Sequence, residues 1–224
     1  MASPKIGSCA ACASTWIRIT WINGNDFSGW QNASDDALVR AVAKGIHSAD
    51  PDHIQTVEFN PPTGSSLDDA TWASIISING AYVYGPTYIQ MLHNYNQKPT
   101  MPTFLVETHY DWEDVGHPSD LGTPSVLRRE EYWAMLNGGK GQFYGNRYTW
   151  SFASGWQTHL DTPVVAQFQI WRSFFDSLLW HDLVPDQSHT VVTAGFGTFG
   201  DILTTHVEKA TFALTPALLT APSS

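Results

Sequence analysis

Five times along this chain a short run of β-branched, aromatic or apolar residues gives way to a turn-forming loop and then to a segment with helical spacing. That alternation constrains the fold more than any other feature. A parallel neighbour can be reached only through a crossover, and crossovers are right-handed, so strand, loop and helix in strict succession imply a parallel sheet. Two architectures satisfy the pattern, a doubly wound open sheet and part of a β/α barrel. Periodicity alone does not choose between them.

The first unit reads as a strand from Trp16 to Ile22, the turn cluster Asn23-Gly24-Asn25-Asp26, and a helix capped by Ser34 with Leu38, Val39, Val42 and Ile46 on one face. The second reads as a strand from His53 to Phe59, a loop from Asn60 to Ser66 and a short helix from Leu67 to Trp72. In the third, the apolar run from Ala73 to Ile78 is closed by Asn79-Gly80 and followed by a helix from Pro86 to Asn94. The fourth strand, from Pro102 to Val106, carries Glu107 at its end. A polar, aromatic loop from Thr108 to Gly122 follows, then a helix opened by Thr123-Pro124, running to Leu136 and stopped by Gly138-Gly139. Gly141 to Tyr144 supplies the fifth strand, and Thr162-Pro163 opens a last helix reaching toward Trp180.

The chain has 224 residues, whereas a complete β/α barrel takes about 250. A barrel reading is therefore a reading of part of one. Asp and Glu number 21 against 11 Lys and Arg, a formal charge of -10, and no basic stripe is present to neutralise phosphates. Nucleic acid is not an expected partner. No apolar stretch approaches the roughly 20 residues of a membrane helix, so no membrane partner is expected either. Residues 1–14 lack the basic start and apolar centre of an export signal. Cys9 and Cys12 form a lone C-x-x-C with no second pair, so neither a metal nor a cofactor is expected.

Two acidic residues stand where a parallel barrel keeps its chemistry. Asp26 closes the first strand unit and Glu107 the fourth, which would bring both to the C-terminal rim. Asp26 alone reads equally well as turn chemistry, whereas a charge directly after Thr103-Phe104-Leu105-Val106 needs a partner or a purpose. Two carboxyl groups facing one pocket suit glycoside hydrolysis, one giving a proton to the leaving oxygen while the other attacks carbon or activates water. The ten tryptophans fit a sugar site as well as a core, because sugars present flat C–H faces to such rings.

Several segments, in order, resemble the apiosidase-like β/α-barrel glycoside hydrolases, often found beside a collagen-binding-type domain. They are Trp21 to Asp26, Pro61 to Ser66, Val106-Glu107 with Tyr110 and Trp112, Arg128 to Trp133, Gly138-Gly139 to Tyr144-Gly145-Asn146, and Trp180 to Asp186. The resemblance covers roughly residues 16 to 203. The resemblance implies α/β architecture with barrel strands four to eight of a (β/α)8 barrel and helices outside. It implies Asp26 as the acid/base, Glu107 as the nucleophile, and Asn25, Asn60, Tyr110, Trp112, Asn146 and Trp150 against an oligo- or polysaccharide of plant-wall type. Relatives of this kind are usually exported. Barrel strands one to three are not represented, so we expect a truncated or frame-shifted reading frame with an atypical segment 1–15, a partial barrel 16–190 and an extension 191–224. Exposed sheet edges would then favour a homo-oligomer.

Other functions leave weaker traces. A Ser-His-Asp hydrolase would need a nucleophile elbow, and no G-x-S-x-G occurs; a metallohydrolase helix H-E-x-x-H is likewise missing. The remaining alternative is a catalytically weak fragment that binds saccharide through its tryptophans, since a catalytic pair without its supporting shell turns over poorly.

Overall fold

In the computed structural model, which describes residues 19–27, 33–60, 64–113, 121–190 and 193, all strand pairings are parallel. Strand β1 (Thr20–Phe27) pairs with β2 (Ile54–Phe59), and β3 (Asn79–Tyr82), β4 (Thr103–Glu107) and β5 (Gly139–Gln142) form a second sheet in that order. Helices α1 (Ala33–Ala49), α2 (Thr87–Asn96), α3 (Pro124–Leu136) and α4 (Pro163–Asp176) follow β1, β3, β4 and β5. After β2 come two 3-10 turns, Ser66–Asp68 and Ala70–Trp72. The succession is that of consecutive units of a β/α barrel, and the chain forms part of one.

Side-chain chemistry sets the helix starts. Thr123 and Thr162 each accept a hydrogen bond from a first-turn N–H, from Val126 at 3.4 Å and Val165 at 3.3 Å, and each precedes a proline whose missing N–H costs nothing there. Three apolar clusters hold the layers together. Ala43, Val57, Phe59, Leu67, Trp72 and Ile76 join α1 to β2 and its turns; Ala81, Met91, Leu105 and Ala134 lie between the second sheet and its helices; Met135, Phe175 and Leu183 join α3 to α4.

Where β2 meets β3 the backbone bonds only at its start, the Ser77 N–H donating to the Gln55 carbonyl at 2.8 Å, and side chains carry the rest of the seam. The Ser66 hydroxyl lies between β2 and β3, donating to the Val57 carbonyl while accepting from the Gly80 N–H at 2.9 Å. Thr56 Oγ1 stands 3.2 Å from the same hydroxyl and donates to the Ile78 carbonyl at 2.9 Å. Two hydroxyls thus stand in for ladder hydrogen bonds. Space for them exists because residue 80 is glycine: a Cβ there would lie 2.9 Å from Thr56 Oγ1, 3.0 Å from Ser66 Oγ and 3.1 Å from Val106 Cγ1.

The structure departs from the sequence expectations at identifiable places. Asn23 to Asp26, expected as a turn, belong to β1 as an irregular strand end. The third strand is not Ala73 to Ile78, which turns back on Trp72 through Ile75 and Ile76 N–H bonds of 2.8 and 3.1 Å; the strand is Asn79–Tyr82. Asn79 looks like a turn residue, yet it is fully buried, accepting from Ser65 Oγ at 2.9 Å and donating to the Asn94 carbonyl at 3.1 Å and Gln97 Oε1 at 2.8 Å. Ser34 lies inside the first turn of α1, and the face with Leu38 and Val42 stays 66% and 60% exposed. The buried side of α1 carries Asp36 and Ala43 instead, with Asp36 paired to Arg40 and accepting from Trp72 Nε1 at 3.2 Å. Strand β5 starts two residues early, and α4 stops at Asp176, leaving Trp180 to open a 3-10 turn. Residues 1–15, with Cys9 and Cys12, lie outside the described residues, as does nearly all of 191–224.

Substituting Gly80→Ala should open the seam and destabilise the chain by about 1–3 kcal/mol, as overpacking of a tight interior does. Urea unfolding measures it, and an unshifted midpoint would show that the seam has slack.

Candidate active site

The C-terminal end of β1 is bulged. Gly24 pairs with Glu58 and Phe27 with Phe59, so β1 spends two more residues than β2 over the same step. Gly24, Asn25 and Asp26 all have positive φ, at 91°, 114° and 49°. A Cβ on residue 24 would meet Phe27 Cβ at 2.8 Å and the Glu58 carbonyl at 2.9 Å, which is why glycine stands there. Beyond the bulge, Phe27 is pinned against Phe59 with ring centroids 5.7 Å apart. Bulges re-aim side chains, and this one turns Asp26 over the mouth of the sheet.

Three carboxylates meet at that mouth. Oxygens of Asp26, Glu58 and Glu107 all lie within 4.8 Å of one another, with Asp26 exposed, Glu107 half-buried and Glu58 only 6% exposed. Tyrosines from the end of β3 hold them. Tyr82 donates to Asp26 Oδ1 at 3.0 Å, Tyr84 donates to Glu107 Oε1 at 3.0 Å, and the two rings meet edge to face at 5.6 Å. Glu58 Oε1 accepts the backbone N–H of Asp26 at 3.3 Å. Such spacing suits either a shared proton or a cation, since each carboxylate accepts one of these hydrogen bonds and keeps further lone pairs.

The electrostatics follow from crowding acids in a partly dry place. Burial raises Glu107, and the neighbouring Glu58 charge raises it further; hydrogen bonds from Tyr84 and Tyr82 oppose this, leaving it at about 7. Glu58 is also raised, first by burial, with the Asp26 N–H and a hydrogen bond with Glu107 working against the shift. Tyr82, Tyr84 and Tyr110 are all raised by burial and by the Glu107 charge, so they remain hydrogen-bond donors.

Behind this rim, His109 Nδ1 lies 2.6 Å from Glu130 Oε1 on α3, both fully buried, and the His109 ring meets Tyr84 edge to face at 5.2 Å. That contact fixes the start of the β4–α3 loop and backs the tyrosine that holds Glu107. Burial raises Glu130, with His109 opposing.

The remaining expected site residues fall in different settings. Asn25 is exposed beside Asp26, and Asn60 is half-buried where the chain leaves β2. Tyr110 is half-buried and faces Glu107. Trp112 is 50% exposed at φ 67°, with its ring edge-on to Tyr148 and His159, which stack on each other at 3.7 Å. Trp150 is 67% exposed. Asn146 is only 1% exposed: its amide donates to Tyr144 Oη at 3.1 Å and the His159 carbonyl at 3.3 Å, and its oxygen accepts the Tyr148 N–H at 2.9 Å. It braces the β5–α4 loop. Sequence reasoning passed over Glu58, Tyr82 and Tyr84. Glu58 carried a signal, being a lone charge near the end of an apolar strand, where Asp26 and Glu107 also stand.

A part-barrel with paired carboxylates on its C-terminal rim has the architecture of glycoside hydrolases. The family described as apiosidase-like, catalytic domain, matches residues 15–182, and the chain belongs to it. Among solved structures it is similar to one titled glycoside hydrolase, at 21% identity with a TM-score of 0.69, covering 80% of this chain and 46% of that one. It is also similar to a glycoside hydrolase family 5 from Bacteroides vulgatus, at 21% identity and TM-score 0.68, covering 80% and 45%. The chain spans about half the length of these structures. No curated protein gives a significant match.

Because Glu107 holds its proton more tightly in the folded chain, the stability it lends is full below about pH 4.5 and is lost as pH rises through about 7. Stability should fall by about 2 kcal/mol across that window, part of the effect being screened by solvent. Glu107→Gln should flatten the decline, which denaturant titrations at several pH values would show; an equally steep profile in the variant would assign it to other groups.

Proposed function

We propose that this chain is a glycosidase acting on a plant-type or complex polysaccharide, with Asp26 as acid/base and Glu107 as nucleophile. The observation that carries this is the convergence of two acids, 81 residues apart in sequence, within 4.8 Å at the C-terminal end of parallel strands. Carboxyl groups about 5–5.5 Å apart suit attack on the anomeric carbon, whereas inversion needs about 6.5–9.5 Å to admit a water. One oxygen from each acid lies within 4.8 Å of the other, the short side of that divide, and we propose retention on that ground. In the first step Glu107 bonds to the anomeric carbon while the C–O bond to the leaving group breaks and Asp26 protonates that oxygen. In the second, water adds to the same carbon, Asp26 takes its proton, and Glu107 departs as carboxylate. Asn25, Asn60, Tyr110, Trp112 and Trp150 are the candidate sugar contacts.

A second reading exchanges the roles, favoured by the elevation of Glu107 to about 7, a value suited to a proton donor. Glu107→Gly with azide separates the two. A glycosyl azide of inverted configuration marks the residue as the attacking group, and one of retained configuration marks it as the acid.

An aryl-glycoside and glycan screen supplies the substrate. On it, Glu107→Gln and Asp26→Asn should each lose about 100-fold or more in kcat. Full retention of rate in both variants would end the assignment, and preserved saccharide affinity without turnover in the parent chain would make it a binding module.

We also propose self-association. Among the described residues β1 and β5 each pair on one side only, and apolar groups stand exposed at both ends, Ile22, Leu38 and Val42 at one and Phe143, Ile170 and Phe174 at the other. Sedimentation should give a dimer or larger species at micromolar concentration; a stable, folded monomer there would refute it.

A further inference from the structure

The mouth of the sheet holds one carboxylate more than glycoside hydrolysis requires. Glu58 is the most buried of the three and comes from β2, the strand paired with the one that carries Asp26. Its surroundings are built around it. The bulge leaves the Asp26 N–H without a ladder carbonyl, since β1 resumes its pairing only at Phe27, and Glu58 Oε1 takes that hydrogen bond. The ladder skips Asp26, so this acceptor is what constrains its left-handed conformation, which a non-glycine residue adopts only under constraint.

We propose that Glu58 is a positioning residue for both acids: through the Asp26 N–H it fixes the bulge, and on its other side its carboxylate accepts from Glu107 and so retains on that residue the proton that Glu107 must give up to act as nucleophile. This rests on the reading of Asp26 and Glu107 as a glycosidase pair. The groups facing Glu58 and Glu107 are the Asp26 carboxyl from β1, the phenols of Tyr82 and Tyr84 from β3 and its extension, and Tyr110 and Glu113 from the β4–α3 loop. None of these brings a positive charge to the pair. Two adjacent acids in so dry a place cannot both ionise easily, so one proton stays between them. With that proton on Glu107, its O–H donates to the Glu58 carboxylate, and losing it leaves the attacking oxygen charged beside Glu58. When ionised Glu107 bonds to the anomeric carbon its charge is consumed and its repulsion with Glu58 is relieved; when the ester is hydrolysed the carboxylate returns beside Glu58.

Glu58→Gln keeps an acceptor for the Asp26 N–H and a donor for Glu107, but removes the competing charge. Its effect is read by NMR titration of the labelled glutamate carboxyl carbons and by the pH profile of kcat/KM. We expect the Glu107 midpoint, about 7 in the parent, to fall by about one pH unit or more, and the acid limb of kcat/KM to move down with it. Glu58→Ala, which removes both contacts, should lower kcat about tenfold or more with a smaller change in KM, because Asp26 is no longer held in register.

An unmoved Glu107 midpoint in Glu58→Gln overturns the proton-sharing role. A shift confined to the basic limb overturns Glu107 as the group that must lose this proton before attack. Equal rates in Glu58→Ala and parent overturn the clamp. The titration needs no turnover: a midpoint that falls in Glu58→Gln while no aryl glycoside is cleaved would uphold the pair and refute the glycosidase reading instead.

Discussion

Keeping three acids together in a half-dry crevice is unfavourable unless each is held by a donor, and much of the molecule near the rim is arranged to supply those donors. Tyr82 serves Asp26, Tyr84 serves Glu107, and the Asp26 N–H serves Glu58. The tyrosines can do so because β3 ends beside β4, with Tyr82 in register with Glu107. Tyr84 is in turn backed by His109, whose buried hydrogen bond to Glu130 ties the loop after β4 to α3. A chain of contacts therefore runs from the helix layer to the Glu107 carboxylate, and local packing fixes its direction.

How much of this could be read from the sequence depended on whether local pattern or tertiary packing decided each element. Thr123-Pro124 and Thr162-Pro163 announced α3 and α4 to the residue, because capping is a local event whose chemistry lies in the adjacent side chains. Glu107 at the end of β4 was equally legible, an acid directly after an apolar strand. The third strand was not. Asn79 and Gly80 are turn formers by propensity, and only the Ser65, Asn94 and Gln97 partners of one and the crowding of Thr56, Ser66 and Val106 around the other make them central strand residues. Misplacing that strand hid Tyr82 and Tyr84, since neither then stood at a rim.

The same distinction explains the α1 helix. Its apolar residues recur at helical spacing, which was enough to identify a helix, yet the buried face is the one bearing Asp36 and Ala43. Asp36 is tolerated there because Arg40 neutralises it and Trp72 donates to it. Periodicity reports that a helix exists; which side faces the core depends on neighbours remote in the sequence.

The hydroxyl seam has a mechanical consequence. Asp26 and Glu58 ride on the first sheet and Glu107 on the second, so the distance separating the acids is also the gauge of the joint at Ser66 and Thr56. Whatever widens or narrows that joint therefore retunes how strongly the acids feel one another.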